Sequence, residues 1–270
     1  MITEINDKQI ADYQENGFLV YNGFINKNEI IDLKNAINNS INEMGENKIA
    51  GREKSQKFED KKGENYNETV FLQRINLWKI NKYIKNFFTD KSLGEMLCKL
   101  AKVKKMRIWH DQTLQKNPWG NPTSWHLDNP KWSFYSKQSI SIWIALDDAT
   151  VKNGCLYFLP KSHKLAKYDN DVRIGRRIDE LFEVYPEFRN INPVAAEMKA
   201  GDASFHNGLM AHAAGANMTN DNRAAMTCAF MPDGSTYNGQ QNILSESDVS
   251  KLKIGDFLNN SLINPIVGDL

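Results

Sequence analysis

No uninterrupted run of about 18 uncharged apolar residues occurs in the 270-residue chain, so no segment has the length and apolarity of a membrane-spanning helix. The first residues, MITEINDKQI, lack a basic stretch followed by an apolar core, so no secretory leader is expected. Cysteine is scarce. Cys98, Cys155 and Cys228 make an odd set without CxxC spacing, which argues against a disulfide scaffold or a zinc ribbon and fits a reducing, cytoplasmic setting. An excess of one charge is also missing: 34 Lys and Arg face 33 Asp and Glu, a net charge of +1. No overall field therefore favours nucleic acid or an anionic membrane surface. There is no internal repeat, low-complexity block or Pro/Gly-rich linker, so one domain over 1–270 is expected. What remains is an ordinary globular composition, 41% hydrophobic and 25% charged.

The hydrophobic pattern changes along the chain. Residues 1–105 read as mostly helical. Asn6-Asp7 can cap a helix that runs to about Asn16 and ends at Gly17, and Phe18–Tyr21 is a short strand. Asn26 or Asn28 can open a longer helix with Ile30, Leu33, Ile37 and Ile41 at helical spacing. Residues 45–67 are nearly all polar and glycine-containing, which fits a solvated loop or a lid over a site. A further helix covers about 90–102. From Met106 the period becomes two, with strands expected over 106–116, 139–147, 155–160, 203–213 and 223–231. This gives a mainly β fold with flanking helices, its core over about 106–232. A helix is expected at 171–182, and short helices in a tail over 233–270.

Five histidines are present, and only His126 has a carboxylate two residues on, in Trp125-His126-Leu127-Asp128. In a strand, residues two apart share a face, so His126 and Asp128 can grip one ion. Chance supplies such a pair often, and a surface strand or turn is the alternative. A second element, GDASFHNGLMAHAAGANMTNDNRAAMTCAF, carries His206, His212 and Arg223. Two antiparallel strands joined by its Asn/Gly-rich turn would put His212 and Arg223 on adjacent strands facing one interior. His-x-Asp plus a distant histidine makes a two-His-one-carboxylate triad, which leaves three positions open on Fe(II). His206 competes with His212 as third ligand. Arg223 can pair bidentately with a co-substrate carboxylate.

The stretches HDQTLQK, NPTSWHLDNPKW, SIWIALDDATVKNGCLYFLPKSHK and GDASFHNGLMAHAAGAN followed by Arg223 resemble the phytanoyl-CoA dioxygenase family of Fe(II)- and 2-oxoglutarate-dependent oxygenases. The resemblance runs from NGFLVYNGFINKNEI to Phe230. It implies a double-stranded β-helix (a cupin-like jelly roll). It implies iron on His126, Asp128 and His212, with Arg223 on the distal carboxylate of 2-oxoglutarate and Trp143 beside it. Family members often carry a hydroxyl residue two places after the distal histidine. Here that residue is Ala214, so Thr227 or Gln112 would support the co-substrate instead. Trp132, Asn129 and Asp111 are candidate substrate contacts, each with packing or a core hydrogen bond as the alternative. His163 and the Arg173, Arg176, Arg177 group read as structural or solvated.

The expected function is hydroxylation of a small or medium polar metabolite, with 2-oxoglutarate and O2 converted to succinate and CO2. The expected partners are that substrate and O2, with no nucleic acid and no membrane, in a monomer or homodimer. A non-enzymatic cupin-like metal-binding protein, or an oxygenase performing desaturation, cyclisation or epimerisation, is the alternative.

Overall fold

The computed structural model describes residues 1–51, 66–169 and 172–270. Side-chain capping starts the helices where the sequence places them. Asn6 forms a reciprocal capping box with Gln9 at the start of α1 (Asp7–Asn16), and Gly17 closes it with φ +83°. Asn26 and Glu29 do the same for α2 (Lys27–Met44). After β1 (Phe18–Tyr21), between those helices, come α3 (Tyr66–Val70), β2 (Leu72–Ile75), α4 (Lys82–Phe88) and α5 (Lys91–Ala101), which Asp90 caps. The remaining strands are β3 (Lys105–Lys116), β4 (Thr123–His126), β5 (Ile140–Ala145), β6 (Leu156–Phe158), β7 (Val194–Ala196), β8 (Ala203–Asn207), β9 (His212–Ala214), β10 (Arg223–Pro232) and β11 (Ile266–Asp269). Short helices α6 (Leu181–Val184) and α7 (Glu246–Val249) sit between them.

The strands form two antiparallel sheets. The larger has the order β1-β8-β5-β10-β3-β11, with β2 also pairing β3; the smaller has the order β4-β9-β6-β7. This is the jelly-roll arrangement, mainly β with flanking helices. The larger sheet has two buried faces. On the outer one, Ile140, Ile142, Ile144, Phe205, Met226, Cys228 and Phe230 pack with Leu33, Phe88 and Leu97 of the helical layer. The alternate residues face the smaller sheet.

Several expectations need correction. The strand expected over 203–213 is two strands, β8 and β9, in different sheets. The chain crosses between them in a tight turn where Met210 N–H bonds Asn207 O and Asn207 Oδ1 accepts from Leu209 N–H. His212 and Arg223 therefore lie in facing sheets, not on adjacent strands. No helix covers 172–180; that stretch is turns and bends leading into the four-residue α6. The tail contributes α7 but also β11, which pairs with β3. A Cβ on Gly94 would lie 1.8 Å from Val267 O, so a helix lacking a side chain there lets α5 seat directly on β11. The larger sheet thus draws strands from both flanks of the expected core. The lid expectation for 45–67 falls largely on 52–65, outside the described residues. Ahead of that stretch, Ile49 is buried and Ala50 N–H bonds Ile75 O, which docks this part of the chain on β2.

Candidate active site

His126 ends β4 and stands directly opposite His212 of β9 in the register of the smaller sheet. Asp128 does not reach the site by strand alternation. The strand stops at His126, and Asp128 adopts a helical conformation (φ −83°, ψ −54°) ahead of the turn at 129–131. Its N–H and that of Asn129 both bond Gly208 O. A Cβ on Gly208 would lie 2.3 Å from Ser139 Oγ, so glycine permits this close approach. The result brings one atom from each of His126, Asp128 and His212 within 4.8 Å of one another. Asp128 Oδ1 is 3.6 Å from His126 Nε2 and 3.8 Å from His212 Nε2.

This donor set suits a divalent metal. His126 Nδ1 lies 2.8 Å from Ser124 O, and His212 Nδ1 lies 2.9 Å from Met210 O. Each ring donates its Nδ1 hydrogen to the carbonyl two residues back, which turns an Nε2 lone pair toward the centre. Desolvation holds His126 well below the usual histidine range, with His212 adding to the effect. Desolvation also lowers His212, to about 4, although Asp128 opposes it. Both rings are thus neutral and ready to ligate at neutral pH. Desolvation works to raise the Asp128 carboxyl, but His212, His206 and His126 outweigh it and hold it well below the ordinary carboxylate range. Among the described residues, this is the cluster of three His, Cys, Asp or Glu side chains that can hold a metal.

The inner face of the larger sheet completes the site. Thr227 stands opposite Trp143 on β5 and Gln112 on β3, so the three share one face. Arg223, four residues before Thr227, lies on the same face. It is 2% exposed, its Cζ sits 5.1 Å from the Trp143 ring centre, and its Nε and Nη1 have no hydrogen-bond partner. Burial lowers its guanidinium to about 10, which still leaves it charged at neutral pH. A buried charge with unmatched donors is costly, and a carboxylate would match it. Gln112 Oε1 accepts from Gln73 Nε2 of β2 at 2.5 Å.

The candidate substrate contacts all have partners within the protein. Asp111 points to the outer face, where its oxygens accept from Leu77 and Trp78 N–H at 2.7 and 2.6 Å. Asn129 is buried, with Oδ1 accepting from Ser136 N–H. Trp132 is 4% exposed and packs with Trp109 and Phe134. His163 lies against Gly17 and Gln14, away from the triad. Residues not singled out beforehand also face the interior: Ser141, Gln73, and Lys116, which pairs with Arg223 in the β3–β10 register. Counting by twos from Trp143 and Gln112 would have found Ser141 and Lys116.

Fold and donor set together define a jelly-roll protein with a two-His-one-carboxylate cluster that could hold one metal ion. The chain belongs to the phytanoyl-CoA dioxygenase family, whose family model matches residues 13–225. This is a family of Fe(II)- and 2-oxoglutarate-dependent oxygenases, and the triad offers donors that could hold such a metal. The dioxygenase lolE1 of Epichloe uncinata is 32% identical over 174 residues, 63% of this chain and 64% of that protein. The match thus spans under two thirds of that curated relative's length. In structure, the chain resembles the 2-oxoglutarate-dependent carbocyclase SnoK of nogalamycin biosynthesis (TM-score 0.78, 22% identity, covering 98% of this chain and 97% of that one). It also resembles EctD from S. alaskensis, solved with 2-oxoglutarate and 5-hydroxyectoine (TM-score 0.65, 17% identity, 86% and 78% covered).

Proposed function

We propose that this chain hydroxylates a small or medium polar metabolite, with 2-oxoglutarate and O2 converted to succinate and CO2. The observation that carries this reading is the buried Arg223 guanidinium, with two unmatched nitrogens, on the interior face that also confronts the triad. Bound Fe(II) would supply the activation of oxygen and its coupling to oxidation of the co-substrate. The rest falls to the protein. His126, Asp128 and His212 would hold the metal from one side and leave the other side to co-substrate and oxygen. Arg223 would take the distal carboxylate of 2-oxoglutarate, a slender dianion that fits between the sheets. The Trp143 ring against the guanidinium limits its rotation, while Thr227 and Gln112 offer neutral polar groups on the same face. Ala214 is buried with no hydroxyl to offer, whereas Thr227 and Ser204, both opposite Trp143, carry hydroxyls on the inner face.

The test is oxygen-dependent succinate release from 2-oxoglutarate across a panel of polar metabolites, with mass analysis of the products. A product that gains one oxygen atom supports hydroxylation. The likeness to a carbocyclase over nearly the whole chain favours a second reading, oxidation without oxygen insertion. Succinate release with a product two hydrogens lighter would establish that outcome. Metal binding without any 2-oxoglutarate turnover would leave a metal-binding protein.

A further inference from the structure

His206 is absorbed by neither the triad nor the co-substrate pocket, yet it lies against the metal site. It stands on β8 opposite Ser141 of β5, and both point to the inner face. The ring is 3% exposed, and neither nitrogen has a hydrogen-bond partner. Its centre is 4.6 Å from that of His212 and 5.4 Å from that of Phe158. Its Nε2 is 3.5 Å from Asp128 Oδ2, while Ser141 Oγ donates to the same oxygen at 3.0 Å. The two carboxylate oxygens are thus divided. Oδ1 faces His126 and His212, and Oδ2 faces Ser141 and His206.

We infer that His206 and Ser141 are positioning residues that hold Asp128 Oδ2, so that the carboxylate meets the metal through Oδ1 alone. This rests on the proposed role of Asp128 as a metal ligand. The physical reason is geometric. A carboxylate free to rotate can offer both oxygens and occupy a second coordination position, which the chemistry needs open. Donors on Oδ2 fix the rotation, and partners of a ligand tune metal affinity as well as geometry. His206 Nε2 stands 3.5 Å from Oδ2, short of a made hydrogen bond, and would bring its N–H from the larger sheet while the two candidate ligand histidines come from the smaller one. The contact therefore also ties the sheets together at the site.

The test is a Co(II) titration of the metal-free protein, followed by the visible absorption of Co(II), whose intensity reports coordination number. His206→Phe keeps a flat ring beside Phe158 and removes the donor. It should weaken Co(II) binding by about 10–100-fold, the usual effect of losing a ligand's hydrogen-bond partner. The bound Co(II) should show the weaker absorption of a higher coordination number. His206→Gln, which keeps an N–H, should recover most of the affinity. Ser141→Ala should weaken binding in the same direction, and carries the test if His206→Phe does not fold. Wild-type affinity and spectrum in Ser141→Ala, and in His206→Phe where it folds, would overturn the inference. So would a His206→Phe loss as complete as that of His212→Ala, since His206 would then be a ligand itself. If the wild-type protein binds no Co(II), the triad reading fails, a result distinct from either.

Discussion

The two faces of the larger sheet are both buried, and they differ in what they bury. The outer face is almost wholly apolar, with Ile140, Ile142, Ile144, Met226 and Phe230 packed on α2, α4 and α5. Its buried carboxylate, Asp111, has both oxygens matched by backbone N–H groups, although burial still pushes it up to about 7. The inner face carries His206, Ser141, Thr227, Gln112, Arg223 and Lys116, and Arg223 and His206 are left with unmatched nitrogens. Unmatched polar groups are avoided in a face that only stabilises the fold. Their concentration on one side of a single sheet marks that side as a binding surface.

The contrast is sharpest at the triad. Replacing His126, Asp128 or His212 by Ala should remove nearly all metal binding and turnover while leaving the metal-free fold intact, as thermal unfolding of each variant without metal would check. Next comes Arg223. Breaking a buried ion pair costs about 3–5 kcal/mol, so Arg223→Ala should raise the 2-oxoglutarate requirement by roughly two to four orders of magnitude. Arg223→Lys should restore only part of it, because an ammonium cannot replace the guanidinium fork. An unchanged co-substrate requirement in Arg223→Ala would break the comparison.

The outer face should respond in the opposite way. Phe230→Ala should cost about 3–5 kcal/mol of unfolding free energy in denaturant titrations, with metal stoichiometry unchanged in the folded fraction. The smallest effect concerns Lys116. Burial, reinforced by Arg223, lowers its ammonium from 10.5 to about 7. Between those values the unfolded chain holds more protons than the folded one. The group's penalty on the folded state is full below about pH 7 and is relieved as pH rises toward 10.5. Stability of the metal-free protein should therefore rise across that window, and Lys116→Met should flatten the rise.

The same contrast explains what could be read beforehand. The clustering of His126, Asp128 and His212 was legible because metal ligation demands particular residue types at particular spacings, and Arg223 was a candidate on the same reasoning. Helices α1 and α2 were legible from their caps, and α5 from the helical spacing of Leu93, Met96, Leu97 and Leu100. The phase of β3 was not, because both of its faces are buried, so alternation alone could not say whether Asp111 or Gln112 looks inward. The break between β8 and β9 was hidden in a continuous apolar stretch, and only the Asn207–Gly208 turn marks it. The role of β11 depends on a contact between Gly94 and Gly268, distant in sequence, that no local pattern announces.

The central claim is that the inner face of the larger sheet and the triad that confronts it form a joint site for a metal and 2-oxoglutarate. Anaerobic calorimetry of 2-oxoglutarate binding, with and without Fe(II), tests it most directly. The account predicts one Fe(II) per chain, 2-oxoglutarate binding that tightens sharply when the metal is present, and loss of that coupling in His212→Ala. Fe(II) binding with no effect on 2-oxoglutarate affinity in the wild-type protein would contradict it.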